Sequence, residues 1–289
     1  DDGASGSATS YDVRYSTSPI TAASWSSATL VTGEPAPSSA GSSQSMTVSG
    51  LSASTLYNFA IKTSDEVPNT SDLSNVPSLS TLAPAGIAFD TAAGTNMTVS
   101  DSFSMTTAQP NEVVLIGILV SNGAGGIPPT ATLDGVAMTP IQTVAAGTLS
   151  TGFLRLLWGV ASSAGPHTVT ISASWSGGNG WSATAIALQN VNTVSPVDVS
   201  TGVSGATSAS VTTTAANTWL VSVGGYSSVT FGSNISFSGG FIERIDSLVP
   251  AESAMATLPA STPAFYSSSW TPATTVSGAV ATIVAAFKQ

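Results

Sequence analysis

The stretch His167-Thr168-Val169-Thr170-Ile171-Ser172-Ala173-Ser174-Trp175 sets a hydroxyl side chain at every second position. A period of two puts alternate side chains on opposite faces of an extended chain. The run therefore reads as a β-strand with Val169 and Ile171 turned inward and Thr168 and Thr170 turned to water. Working outward, runs of strand length recur at 153–160 and 181–189, at 113–121 and 131–133, and on to 276–287, with Gly, Pro, Asn and Ser clusters between them. No segment reads as a helix. About thirteen such runs follow residue 86, more than one small sandwich needs; a jelly-roll-like double sheet, or two smaller sandwiches fused tightly, would hold them. Five more, at 10–16, 28–31, 45–48, 56–63 and 78–82, precede Ala83-Pro84-Ala85-Gly86, a short linker-like step. The expected architecture is all-β in two domains, 1–84 and 85–289, the second a jelly-roll-like β-sandwich.

Composition narrows the partners. The 289 residues include 5 Lys or Arg, 15 Asp or Glu, one His and no Cys, for a formal charge of -10. Only 7% are charged, against roughly a quarter in average soluble proteins. Serine (50) and threonine (38) supply the polar surface instead, which suits strands with one wet face. The acidic balance argues against nucleic acid as a partner. No apolar run reaches the length of a membrane-spanning helix, so no membrane span is expected. Absent cysteine removes disulfides, thiolate metal sites and cysteine nucleophiles. Scarce charge, abundant hydroxyls and a β-rich pattern together favour an extracellular or cell-surface location.

Ser10-Tyr11-Asp12-Val13-Arg14-Tyr15-Ser16, followed by Gly50-Leu51-Ser52-Ala53-Ser54-Thr55-Leu56-Tyr57-Asn58-Phe59-Ala60-Ile61-Lys62, resembles a fibronectin type III domain. The first stretch is similar to that family's C strand and the second to its E–F corner. Leu73-Ser74-Asn75-Val76 is similar to the start of its last strand. The resemblance covers residues 1–82 and implies a truncated, immunoglobulin-like sandwich in which the Tyr57 hydroxyl bonds back to the backbone after Leu51. Family members begin with two strands ahead of the loop that here reads Asp1-Asp2-Gly3, and those strands are missing from the sequence. The inward set Tyr11, Val13, Tyr15, Tyr57, Phe59 and Ile61 would then stand half uncovered. Beside it, the smaller sheet would keep only the strand around 45–48, with Met46 and Val48. At roughly 25 cal/mol per Å² of apolar surface, leaving such side chains wet costs many kcal/mol. The expectation is that a strand or surface of a neighbouring subunit covers the face, with Tyr11, Val13, Tyr15, Met46 and Val48 in the contact; the competing explanation is a stretch of the protein upstream of Asp1. The second part is similar to β-sandwich modules that follow such domains in large bacterial surface and secreted proteins. That resemblance rests on Ile87-Ala88-Phe89-Asp90, the run 113–120, Leu133-Asp134-Gly135-Val136-Ala137-Met138, Gly165-Pro166-His167-Thr168-Val169-Thr170-Ile171 and the closing run 279–287.

The inventory for catalysis is thin. A Ser/His/Asp arrangement would have to use His167, at the start of a strand, and no Gly-x-Ser-x-Gly turn accompanies it. One His and no Cys leave no ordinary zinc or iron ligand set. Glu112, Glu243, Asp246 and Glu252 could converge for two-carboxylate glycoside chemistry, but no motif marks them. In the implied fibronectin type III frame, Asp1 and Asp2 share one pole with Asp65, Glu66 and Asp72, a set of oxygen ligands that could take Ca²⁺; solvated loop acids are the simpler reading, and no cofactor is expected. Trp25, Trp158, Trp175, Trp181, Trp219 and Trp270 could stack on sugar rings if several shared an exposed face, whereas burial suits most of them better. Asn69, Asn96 and Asn234 open the N-glycosylation pattern Asn-x-Ser/Thr. The expectation is a non-enzymatic structural or adhesive subunit of an extracellular filament, appendage or surface layer, partnered by copies of itself. The alternative is a glycan-binding accessory module of a larger secreted enzyme.

Overall fold

The structure, a computed structural model, describes residues 8–39, 41–67, 69–96, 101–120, 127–146, 152–173, 180–227, 235–247, 251–272 and 280–289. Apart from one 3-10 turn at Trp25–Ser27, every regular element among these residues is a β-strand, and the chain divides into two compact units, Asp1–Ala85 and Gly86–Gln289.

The first unit contains one antiparallel sheet, ordered β2 (Thr29–Leu30), β1 (Ser10–Ser16), β3 (Leu56–Ser64), β4 (Ser78–Ser80). Alternation gives it two apolar faces. One is covered by Ile20, Trp25 and Ala28, which pack on Ala60. The other carries Tyr11, Val13 and Tyr15 opposite Thr63, Ile61 and Phe59. Residues 45–48, expected as a strand of a second sheet, are not one: an extended segment becomes a strand by pairing, and no described segment pairs with it.

Among the described residues the second unit has seventeen strands in four sheets. The first half runs β5 (Ala88–Asn96), β6 (Ser102–Thr107), β7 (Glu112–Val120), β8 (Thr130–Leu133), β9 (Val136–Ala137), β10 (Thr139–Ala145), β11 (Phe153–Ala161), β12 (Gly165–Ser172) and β13 (Trp181–Gln189). The second runs β14 (Val197–Ser204), β15 (Ser208–Thr212), β16 (Thr218–Ser227), β17 (Ile235–Ser238), β18 (Ile242–Ser247), β19 (Ala251–Ala260), β20 (Phe265–Pro272) and β21 (Val280–Phe287). Each half is a sandwich. The first pairs the sheet β10-β11-β7-β13-β5 with β6-β12-β8-β9, and the second pairs β14-β21-β16-β19-β18 with β15-β20-β17. Of the two arrangements the sequence allows, a single jelly-roll-like double sheet and two fused sandwiches, the four sheets correspond to the second.

The five-stranded sheets pack on each other, which makes four layers. Val113, Leu115, Leu119, Ile186 and Leu188 share one cluster with Val221, Val223, Met255, Ile283 and Phe287 across that interface. The intervening residues Val114, Ile116, Ile118 and Val120 enter a second cluster, against the outer sheet. β7 is therefore buried on both faces throughout its length, which is why residues 113–120 run continuously apolar rather than alternating. Alternation survives in the outer layers: His167, Val169 and Ile171 of β12 are buried, while Thr168, Thr170 and Ser172 are exposed.

The halves are two copies of one plan. Read from β5 and from β14, the five-stranded sheets have the same strand order, and so do the outer sheets once β9 is set aside. The irregularities repeat as well. A bulge sets aside Asp90 in β5 opposite Ala187 and Leu188, and another sets aside Asp198 in β14 opposite Phe287 and Ala286. A second pair of bulges sets aside Ile141 in β10 and Arg244 in β18. Both central strands begin after an asparagine at positive φ, Asn111 (62°) and Asn217 (54°). Contacts across the interface are reciprocal, β5 with β18 as β14 with β10, and β13 with β19 as β21 with β11. That is the pattern of an isologous two-fold interface, here within one chain. At its centre equivalent residues meet: a Cβ on Gly117 would lie 2.6 Å from Cγ1 of Val223, its counterpart.

Candidate functional site

Three arrays bring chemically capable side chains together. In the first sandwich, β12 places His167, which is 2% exposed, between Asp134 and Thr107. Nδ1 lies 2.6 Å from Asp134 Oδ2, and Nε2 lies 3.0 Å from both Thr107 Oγ1 and the Ser163 carbonyl oxygen. The bond to His167, with a second from the Thr168 N–H, holds the Asp134 carboxyl below its ordinary value. The order carboxylate, imidazole, hydroxyl is that of a hydrolytic triad. The hydroxyl is unsuited to attack, however, because Thr107 is 2% exposed and donates to the Ser163 carbonyl. The second sandwich shows what the array does. Tyr266, the register equivalent of His167, donates from its hydroxyl to the Thr262 carbonyl four residues back, and Thr213, the equivalent of Thr107, donates to the Ala264 carbonyl. In both copies a side-chain tip ties down the turn that enters the outer strand. The sequence singled out His167 but not Asp134 or Thr107, whose proximity arises only from strand pairing.

The second array lies between the layers of the second sandwich. Glu252 in β19 stands opposite Tyr226 in β16, and Asp246 in β18 stands opposite Ala254, so Glu252 and Asp246 are diagonal neighbours on one face. The Tyr226 hydroxyl donates to Glu252 Oε2, and the Ile235 N–H donates to Asp246 Oδ2 at 2.9 Å. Glu252 is 5% exposed, and its Oε1, like Oδ1 of Asp246, is buried without a hydrogen-bond partner among the described residues. Burial pushes the Glu252 carboxyl up to about 7, with Asp246 and Glu243 adding like-charge repulsion. Burial likewise pushes Asp246 up to about 6 and holds Glu243 above its usual range. Glu112 stands apart in the first sandwich, 1% exposed, where it accepts from the Gln109 N–H at 2.7 Å. Burial raises its carboxyl too, and Asp90 adds to the effect. Two of the four acids named from sequence, Asp246 and Glu252, thus meet, and Glu243 lies further along the same face. Tyr226 and Trp270, each 1% exposed, are stacked beside them, which leaves no room for a sugar ring.

The third array is a groove of about 340 Å³ on the half-covered face of the first unit. Tyr11, Val13, Phe59 and Ile61 form its floor, with Pro35, Gln44 and Met46 among its other lining residues, and among the described residues no carboxylate or ammonium lines it. Gln44 fixes the rim, accepting from the Tyr11 hydroxyl at 2.7 Å and donating to the Ala36 carbonyl at 2.8 Å. Val48 and Tyr15 line a second groove of about 170 Å³. All five residues expected at a subunit contact, Tyr11, Val13, Tyr15, Met46 and Val48, are half-buried. The Tyr57 hydroxyl accepts from the Ser52 N–H at 3.0 Å.

The remaining sequence candidates disperse. Asp65 is buried and takes its bonds from the N–H groups of Val67 and Asn69 and from Asn69 Nδ2, which hold its carboxyl down to about 2. Glu66 and Asp72 are exposed, while Asp1 and Asp2 lie outside the described residues. Among the described residues no three potential metal ligands of the His, Cys, Asp or Glu type come together. Asn69 has its amide engaged by Asp65, Asn96 is buried at the end of β5, and Asn234 lies outside the described residues. Trp181 and Trp270 are 1% exposed, and Trp25, Trp158 and Trp219 are partly covered. Trp25 lies under the Arg14 guanidinium at 5.0 Å and the Lys62 ammonium at 5.3 Å. Trp175 lies outside the described residues. No helix is long and apolar enough to cross a membrane among the described residues.

No family model matches the chain, and no curated protein matches it. Among solved structures it is similar to an alpha-L-rhamnosidase from Dictyoglumus thermophilum at 8% identity, with a TM-score of 0.19, over 98% of this chain and 43% of that one. The chain spans less than half the length of that protein, and a likeness of this size carries no argument about fold or activity.

Proposed function

We propose that the chain is a structural or adhesive subunit of an extracellular assembly, joined to copies of itself through β-rich contacts. The observation that carries this reading is the uncharged groove of the first unit. It is floored by aromatic and branched side chains and bordered by residues 45–48, which have no ladder partner among the described residues. Such a surface fits an added strand better than a small polar ligand, because main-chain pairing and alternate apolar side chains are both on offer. The Tyr57–Ser52 bond and the antiparallel β2-β1-β3-β4 order support a fibronectin type III-like first unit. A hydroxyl-rich chain with only 7% charged residues can form broad contacts without burying ions. The burial of His167, Thr107 and Glu252 supports a non-enzymatic role, and that of Trp181 and Trp270 favours the structural reading over a glycan-binding one.

Electron microscopy and sedimentation of the purified chain across a concentration series test the reading. Self-association is expected, and Val13→Lys in the groove floor is expected to weaken it. A chain that stays monomeric at its solubility limit refutes self-assembly.

A further inference from the structure

The carboxylates between the layers of the second sandwich are held in a position that ionisation would make untenable. Glu252 and Asp246 are fixed to the five-stranded sheet through the β16–β19 and β18–β19 ladders, while Glu243, opposite Ala256 on the same face, is exposed and adds only its charge. What covers them belongs to the outer sheet. Ile235 of β17 and Trp270 of β20 share one cluster with Tyr226 and Ala254. β17 is the weak member: four residues long, at the edge of a three-stranded sheet, and tied across the layers by the Ile235 N–H to Asp246.

We propose that Asp246 and Glu252 form a proton-operated latch, which keeps β17 seated against β18 and β19 while protonated and releases it when ionised.

The groups that face the latch leave its charge uncompensated. β16 contributes the Tyr226 hydroxyl, β18 contributes Glu243 and Asp246, and β19 contributes Glu252. The cation of β18, Arg244, sits on its bulge over the Phe89 ring at 4.4 Å and donates to Thr257 Oγ1 at 2.8 Å. β17 contains no ionisable side chain, and the one in β20, Tyr266, is bonded to Thr262. Residues 228–234 and 248–250, the flanking connections, are free of ionisable types in sequence. With no counter-ion, ionisation must be met by water, and the movable cover is β17. Burial sets the affected carboxyls near 6 and 7, within the range where a mild pH change acts.

The first sandwich supplies an internal control. Where the second has Glu243, Asp246 and Glu252, register places Pro140, Thr143 and Phe153. There Arg155, the equivalent of Ala254, donates to the Pro129 carbonyl at 2.6 Å, just ahead of β8, the counterpart of β17.

Hydrogen exchange of the full chain at pH 5 and pH 8, corrected for the intrinsic rate, tests the latch. Protection of 235–238 is expected to fall roughly tenfold or more, while that of 130–133 changes less than about twofold. Asp246→Asn with Glu252→Gln is expected to keep β17 protected at both pH values. Should that pair fail to fold, Glu252→Gln alone is expected to shrink the pH effect. Parallel changes in the two strands, or an undiminished pH effect in the variant that folds, overturn the proposal.

Discussion

Gly117→Ala probes the interface that makes two sandwiches into one unit. The new Cβ would sit 2.6 Å from Cγ1 and 3.5 Å from Cγ2 of Val223. Carbon atoms prefer separations of about 3.5–4.0 Å, so the closer contact is short by roughly 1 Å. Val223 cannot swing aside freely, because it is 0% exposed and a β-branched side chain is stiff at χ1. Overpacking of this kind costs about 1–3 kcal/mol, and the loss of chain entropy in the unfolded state returns only about 0.4–1 kcal/mol. A net loss of about 1–2 kcal/mol is expected for Gly117→Ala. Val223→Ala removes two buried methyl groups and should cost about 1–2.5 kcal/mol by itself. In the double variant the new methyl occupies space the old ones vacated, so the combined cost should fall short of the sum by about 1–3 kcal/mol. Urea unfolding of the four chains measures this coupling. A neutral Gly117→Ala, or costs that add within about 0.5 kcal/mol, would refute the face-to-face packing of equivalent strands.

Four further outcomes follow from the geometry. Tyr57→Phe removes the acceptor of the Ser52 N–H and should lower the stability of the first unit by about 1 kcal/mol, read by thermal unfolding. Asp134→Asn should cost about 1–2 kcal/mol at neutral pH and nothing in strong acid. The native Asp134 carboxyl sits low, so its contribution is complete above its unfolded value and disappears as pH falls through the folded one; equal costs at both pH values would contradict this. Glu252 has the opposite sign. Its folded value is raised to about 7, so its contribution is full below the unfolded value of 4.5 and is lost as pH rises toward 7. The change is about 3 kcal/mol, and Glu252→Gln should flatten that limb in denaturant titrations at pH 5 and pH 8. Residues 86–192 and 193–289 produced separately should aggregate or pair, since each exposes the apolar inner face of a five-stranded sheet; two well-behaved monomers would count against a shared core.

Residues 167–172 disclosed an outer-layer strand directly, because one wet face and one dry face write a period of two into the sequence. Residues 113–120 disclosed a strand buried on both faces, but an apolar run says nothing about which sheet lies on either side. β10, β14 and the four-residue β17 passed unrecognised. Pro140 breaks the ladder signal in the first, while Gly202, which lies under Val144 and Gln142, interrupts the second. Residues 45–48 have strand-forming side chains, yet pairing decides whether an extended segment becomes a strand.

The candidate sites divide the same way. The sequence named Glu112, Glu243, Asp246 and Glu252 as acids able to converge. Hairpin register then brought Asp246 and Glu252 together, set Glu243 further along the same face and left Glu112 beside Asp90. The duplication is nearly invisible in the residues themselves, since Val113 answers to Trp219, Gly117 to Val223 and His167 to Tyr266. What the copies share is backbone work. Asp90 and Asp198 on matching bulges accept from the N–H groups of Ala108 and Thr214, each at 2.8 Å, and Asn111 and Asn217 make the turn that follows. By itself the sequence determined the all-β class, most of the strands and the wet faces of the outer ones, because these depend on local side-chain pattern. Only the tertiary structure decided the four layers, the two-fold plan and the acid cluster. These depend on which distant backbones pair, and many different side chains satisfy the same pairing.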